Sequence, residues 1–278
     1  MTAPLPMTPR RWAALLLGLP VALAIIGWMG LTAVAMAGQA SFPVRLAVPV
    51  HGSTVSLSGG NANVHVTQAA SSELRLTGTA HYSLVRSTVT WHRTSSGVAV
   101  SPRCRFVTGV CSFDFRAVVP EGKRALISTG SGDVTLQGLS SPVSAGTGSG
   151  NIRAENIPSA LTVRTGSGDI SGGTLSGPRV TLKTGSGNVS VAGLTGANVV
   201  ASTGSGDITL TFTGIPAHVR VDSGSGNVTL VLPAGRTLYQ VNANTDSGDA
   251  PVVTVPTSSV SQHVITVHAG SGNISITN

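Results

Sequence analysis

The chain has 278 residues, 35 of them Gly, a formal net charge of +7 and only 10% charged residues. Two Lys and three Glu are too few to cover the exposed faces of an all-helical domain. Gly without a G-X-Y period excludes collagen, and 41% hydrophobic residues argue against disorder.

The first element is N-terminal. Residues 1–11 end in Arg10 and Arg11, and the 27 residues from Trp12 to Gly38 carry no charge. A membrane span needs about 20 apolar residues. The stretch over 12–38 is therefore predicted to be a transmembrane signal anchor, longer than the h-region of a signal peptide. Ala35-Met36-Ala37 keeps a cleaved signal open as the alternative. By the positive-inside rule Arg10 and Arg11 hold residues 1–11 in the cytoplasm. The predicted location is the cell membrane, single-pass, with the C-terminal domain extracytoplasmic.

Residues 39–50 read as a linker. Residues 51–121 read as an N-terminal strand and cap region, because HYSLVRSTVTWHR, VAVSP and FDFRAVVP form longer amphipathic strands outside the repeat. This region holds the two cysteines, Cys104 and Cys111. An even pair in an exported domain predicts a disulfide. Neither has a His or further Cys at metal-ligand spacing.

Residues 122–278 are repetitive. Gly-Ser-Gly-Asp/Asn ends at Asp133, Asn151, Asp169, Asn188, Asp207, Asn227 and Asn273, with a variant ending at Asp249. Spacings grow from 18 to 24 residues, and a decayed copy, Gly60-Asn61-Ala62-Asn63, stands upstream. Apolar residues alternate on both sides of each unit, as in Val163 and Leu161 before and Val189 and Val191 after. Period two means half-buried strands. Two strands and two turns in about 19 residues make one coil of a solenoid, and stacked coils share the core a single coil lacks. The predicted fold is all-β, a parallel β-solenoid of about eight short coils behind one transmembrane helix.

The last residue of the unit alternates Asp and Asn through all eight copies. Stacked Asp residues would repel about 5 Å apart. Interleaved Asn doubles that spacing and can donate an amide to the next Asp, so the alternation predicts a column.

VPEG at 119–122 and the repeated TGSGDV and TGSGNI units, behind an apolar N-terminus and a Cys-bearing strand region, resemble a bacterial family of candidate adhesins with β-strand repeats. The resemblance covers residues 50 to 278. It implies an envelope-exposed, membrane-anchored β-solenoid and supplies no catalytic residues.

No phosphate-loop, dinucleotide or nucleophile-elbow motif is present, and the seven His form no HxxxH or HExxH. Calcium-binding β-rolls repeat GGxGxD every nine residues, whereas here the period is double and Asn halves the anionic ligands. No metal or cofactor is expected. Scattered charges with few aromatics do not make a nucleic-acid platform. The expected function is a non-enzymatic, adhesin-like binding or scaffold protein of the envelope, its partner an unidentified envelope polymer or protein. The alternatives are a carbohydrate-active solenoid enzyme and an accessory or sensor subunit of an envelope-stress system.

Overall fold

The computed structural model describes residues 21–30, 39–83, 85–104 and 111–278. The strands in chain order are β1 Gln39–Pro49, β2 Thr54–Ala69, β3 Glu73–Ser83, β4 Thr88–Thr94, β5 Gly97–Arg103, β6 Cys111–Pro120, β7 Arg124–Ser131 and β8 Val134–Gln137. They continue with β9 Val143–Ser149, β10 Ile152–Ile157, β11 Leu161–Ser167, β12 Ile170–Leu175, β13 Arg179–Ser186, β14 Val189–Leu194 and β15 Asn198–Ser205. The last are β16 Ile208–Phe212, β17 His218–Ser225, β18 Val228–Val231, β19 Gln240–Ser247, β20 Val252–Val253, β21 Val264–Ser271 and β22 Ile274–Thr277.

Each repeat contributes one strand to each of two parallel sheets. Sheet B runs β7, β9, β11, β13, β15, β17 and sheet A runs β8, β10, β12, β14, β16, β18. Equivalent residues lie in register, Val163 against Leu182 in sheet B and Ile170 against Val189 in sheet A. Inward positions such as Leu161, Val163, Ile170, Val180, Leu182 and Val189 are buried between the sheets. Burying each such side chain is worth about 1.5–3 kcal/mol, and only the stack makes that burial possible.

The corner opposite the Gly-Ser-Gly turn has its own apolar column, in which Ile157, Leu175, Leu194 and Phe212 stack in register and are buried. The residues before Ile157, Leu175 and Leu194, and before the buried Leu139 of the first coil, have positive φ: Asn156 at 54°, Thr174 at 54°, Gly193 at 72° and Gly138 at 64°. Gly and Asn adopt this conformation readily, whereas a β-branched Thr is strained there.

The N-terminal end differs from expectation in two places. Residues 39–49, read as a linker, form β1, with Val44 and Val48 buried by strand alternation. The decayed copy is a full coil: β2, 16 residues long, pairs in parallel with both β7 and β8 and so passes from sheet B into sheet A. Above it β6 pairs with β2 in parallel and with β3 antiparallel, and β3 pairs with β1 antiparallel. In sheet B, β5 joins β2 and β4 closes the edge antiparallel. These reversals, with stacked Phe113 and Phe115 at 5.4 Å, cover the open coil. Cys104 and Cys111 are joined in a disulfide beside this cap.

At the far end the coils are not stacked in chain order. β21 lies between β17 and β19, and β22 between β18 and β20. An inner coil is covered on both sides, so the more apolar coil gains more there. Ile265, Val267, Ile274 and Ile276 of the inserted coil are buried, while Val241 and Ala243 are only half-buried and Val252 and Val253 are exposed.

The predicted transmembrane helix is corrected. Of residues 12–38, the described part, 21–30, is helical, and no helix among the described residues is long and apolar enough to cross a membrane. Arg10, Arg11, Ala35-Met36-Ala37 and the rest of 12–38 lie outside the described residues.

Candidate functional site

The predicted column forms along one exposed corner. The backbone N–H of Asn151 donates to Asp133 Oδ1 at 2.8 Å, Asp169 to Asn151 at 2.9 Å, Asn188 to Asp169 at 2.7 Å, Asp207 to Asn188 at 2.8 Å and Asn227 to Asp207 at 2.7 Å. Asn273 then donates to Asn227 at 2.9 Å, and Asp249 to Asn273 at 3.0 Å. Asn63 of β2 heads the column, accepting the Asp133 N–H at 3.0 Å.

The bonding differs from the sequence reading in kind. The side-chain oxygen of one coil accepts the backbone N–H of the next, so Asp and Asn serve equally and the ladder does not depend on amide-to-carboxylate pairs. Amide donation occurs at the two ends, from Asn273 Nδ2 to Asp249 Oδ2 at 3.0 Å and from Asn63 Nδ2 to Asp114 Oδ1 at 2.8 Å. The alternation still keeps carboxylates two coils apart through Asp133, Asp169 and Asp207. Coil insertion then puts two Asn residues, 227 and 273, side by side.

A second column runs just inside. Thr165, Thr184 and Thr203 are buried, and each Oγ1 donates at 2.9 Å to the carbonyl of Gly150, Gly168 and Gly187 in the preceding coil. Thr147, Ser223 and Thr245 repeat the bond to Gly132, Gly206 and Gly272. In the sequence the column shows only as a Thr or Ser before nearly every Gly-Ser-Gly; its acceptors lie in other coils. Gly is required where the columns meet: a Cβ on Gly185 would lie 2.5 Å from the Gly166 carbonyl oxygen. Gly187, at φ 144°, sits as closely against Gly168.

At the cap the column opens into a shallow depression of about 440 Å³, lined by Asn63, His65, Asp114, Arg116, Asp133 and Thr135 among others. His81 Nε2 lies 3.5 Å from Asp114 Oδ2. Among the described residues no group of three His, Cys, Asp or Glu side chains lies close enough together to hold a metal ion.

Two broad faces flank the corner. The outer face of sheet A carries a row of small hydroxyls, with Ser171, Ser190, Thr209, Thr229 and Ser275 on successive strands in register. The outer face of sheet B carries most of the exposed cations of the coils. Tyr239, in the far-end loop, is buried with no hydrogen-bond partner for its hydroxyl among the described residues, and burial raises its pKa.

Residues 118–277, more than half of the chain, match the Toastrack DUF4097 family. The chain belongs to the Toastrack DUF4097 family. The match begins within β6, so the repeats lie inside it and β1 to β5 lie before it. The fold is similar to that of a solved candidate adhesin from Bacteroides fragilis, with TM-score 0.52, 15% identity and coverage of 85% of this chain and 97% of that one. A solved candidate adhesin from Parabacteroides distasonis gives TM-score 0.51, 9% identity and coverage of 85% and 96%. No curated protein matches the chain. At such identities the likeness is one of fold.

Proposed function

We propose that this Toastrack solenoid is a non-enzymatic, adhesin-like binding or scaffold module of the cell envelope, working outside the cytoplasm. The corner ladder carries this reading. Each carboxylate of the column accepts a hydrogen bond from a neighbouring coil. These groups hold the stack together; of them Asp133 alone borders the shallow depression at the cap, and the others lie along the corner rather than facing one another as an acid and base would. What the stack presents outward is two flat faces with a side chain every 4.8 Å or so, a geometry suited to an extended partner. The disulfide supports an oxidising compartment. The two similar structures are themselves described as candidate adhesins.

The test immobilises the full chain and offers neutral and acidic envelope polymers, reading both retention and polymer length. Retention with unchanged length supports the proposal. Shortened polymer would establish the carbohydrate-active enzyme instead. Retention of no polymer, with an envelope protein cross-linked in its place, would favour the accessory or sensor reading.

A further inference from the structure

The outer face of sheet B is predominantly cationic. Arg124, Arg164, Arg179, Lys183 and Arg220 point outward from β7, β11, β13 and β17; the carboxylates on this face are Asp222 of β17 and, at the far end, Asp246 of β19, which lies 3.6 Å from His268. Asp222 is taken up by Arg220, whose Nε and Nη2 reach it at 3.0 and 3.2 Å. Among the described residues Arg164, Arg179 and Lys183 make no ion pair.

Arg164 and Lys183 are register partners on adjacent strands. Like charges opposite each other weaken a sheet, and strand spacing puts their backbones about 4.8 Å apart. Their other register neighbours, Gly146 and Ser202, carry no charge to offset them. Beside them Arg179, Asn198, Val200, His218, Arg220 and Thr266 border a shallow depression of about 340 Å³. Its floor is partly apolar, and its rim mixes guanidinium groups with neutral hydrogen-bonding side chains.

We propose that this face binds a linear acidic polysaccharide laid along the solenoid axis. Guanidinium groups pair with carboxylates in a planar, two-bonded geometry. Thr162, Thr181, Asn198 and Thr266 supply the donors and acceptors that sugar hydroxyls need. A bare phosphate polymer would use the cations alone. The face has no aromatic platform for stacked bases. The spacing between coils is close to the length of one pyranose unit, so successive sugars meet successive strands. This inference names the ligand class of the binding reading above and rests on it.

The test measures binding of the full chain to polygalacturonate, to its methyl ester and to inorganic polyphosphate, at low and high salt. The acid polymer is expected to bind, more weakly as salt rises, with the ester at least about tenfold weaker. The triple variant Arg164→Gln, Arg179→Gln and Lys183→Gln should lose roughly tenfold or more in affinity. A control triple of equal charge on the sheet A side, Arg75→Gln, Arg116→Gln and Arg153→Gln, should change it less than about twofold. Thermal unfolding of both triples checks that these exposed substitutions leave the fold in place. Equal loss in the two triples overturns the assignment to sheet B, since net charge alone would then explain binding. Tighter binding of polyphosphate overturns the polysaccharide. If the ester binds as well as the acid, this proposal falls while the general binding reading stands. If none of the three polymers is retained this proposal falls, and failure of the wider polymer and partner screen is what overturns the general reading.

Discussion

Asn227 Oδ1 accepts the backbone N–H of Asn273 at 2.9 Å, across 46 residues of chain. Asp249, which lies between them in sequence, bonds to the far side of Asn273. The last coil is therefore inserted, and the coil before it forms the end of the stack.

Cross-linking tests this order directly. Adjacent coils put equivalent Cα atoms about 4.8 Å apart, within disulfide reach, and coils two apart lie at about twice that, beyond it. Asn227→Cys with Asn273→Cys should oxidise to a disulfide under mild conditions, while Asn227→Cys with Asp249→Cys should not. Peptide mapping reads the outcome, and the opposite pattern would restore chain order.

Asn188→Asp keeps the oxygen that accepts the Asp207 N–H but sets carboxylates in three successive coils, at 169, 188 and 207. At an exposed corner the repulsion should cost about 1–2 kcal/mol at low salt and fade with screening. Asn188→Ala loses the acceptor instead, and its cost of about 1 kcal/mol should not depend on salt. Urea unfolding of both variants at two ionic strengths separates charge from hydrogen bonding.

Thr184→Val keeps the shape of a buried side chain and removes its bond to the Gly168 carbonyl. A loss of about 1 kcal/mol is expected. Gly185→Ala, whose Cβ would press on the Gly166 carbonyl, should cost more than Thr184→Val. Equal stability of Gly185→Ala and wild type in denaturant would show that the coils can move apart at this corner.

Thr174 is exposed and held at φ 54°, where its neighbours in the turn column are Gly and Asn. Thr174→Gly should relieve the strain and raise stability by about 1 kcal/mol. A shift of the urea midpoint to lower concentration would contradict this.

Tyr239 titrates above its ordinary value of 10.0 because burial disfavours the phenolate. The unfolded chain therefore loses this proton first, so stability is full below pH 10 and falls as pH climbs beyond it. Tyr239→Phe removes both that alkaline loss and the unpaired buried hydroxyl. It should be neutral or slightly stabilising at pH 7 and flatten the decline above pH 10, as followed by denaturant midpoints across pH.

Much of this architecture was legible in the order of residues, because its causes are local. Alternation around Val163 and Val189 set which side chains face the core, and the recurring Gly-Ser-Gly set where each coil bends. The Asp/Asn alternation announced a column, and CRFVTGVC announced the disulfide. Other features depended on which segments become neighbours. Strand β1 needed β3 beside it before 39–49 became structure, and Asn63 became the head of the column only once β2 lay on β7 and β8. The acceptors of the buried Thr column belong to other coils, so the Thr positions were visible and their partners were not. The grouping of Arg164, Arg179 and Lys183 on one face likewise needed the register between strands. Coil order at the far end was the least legible feature. Any of these coils satisfies the same corner, and the choice between β19 and β21 for the inner place falls to the difference in apolar area each can bury, which only the assembled stack creates.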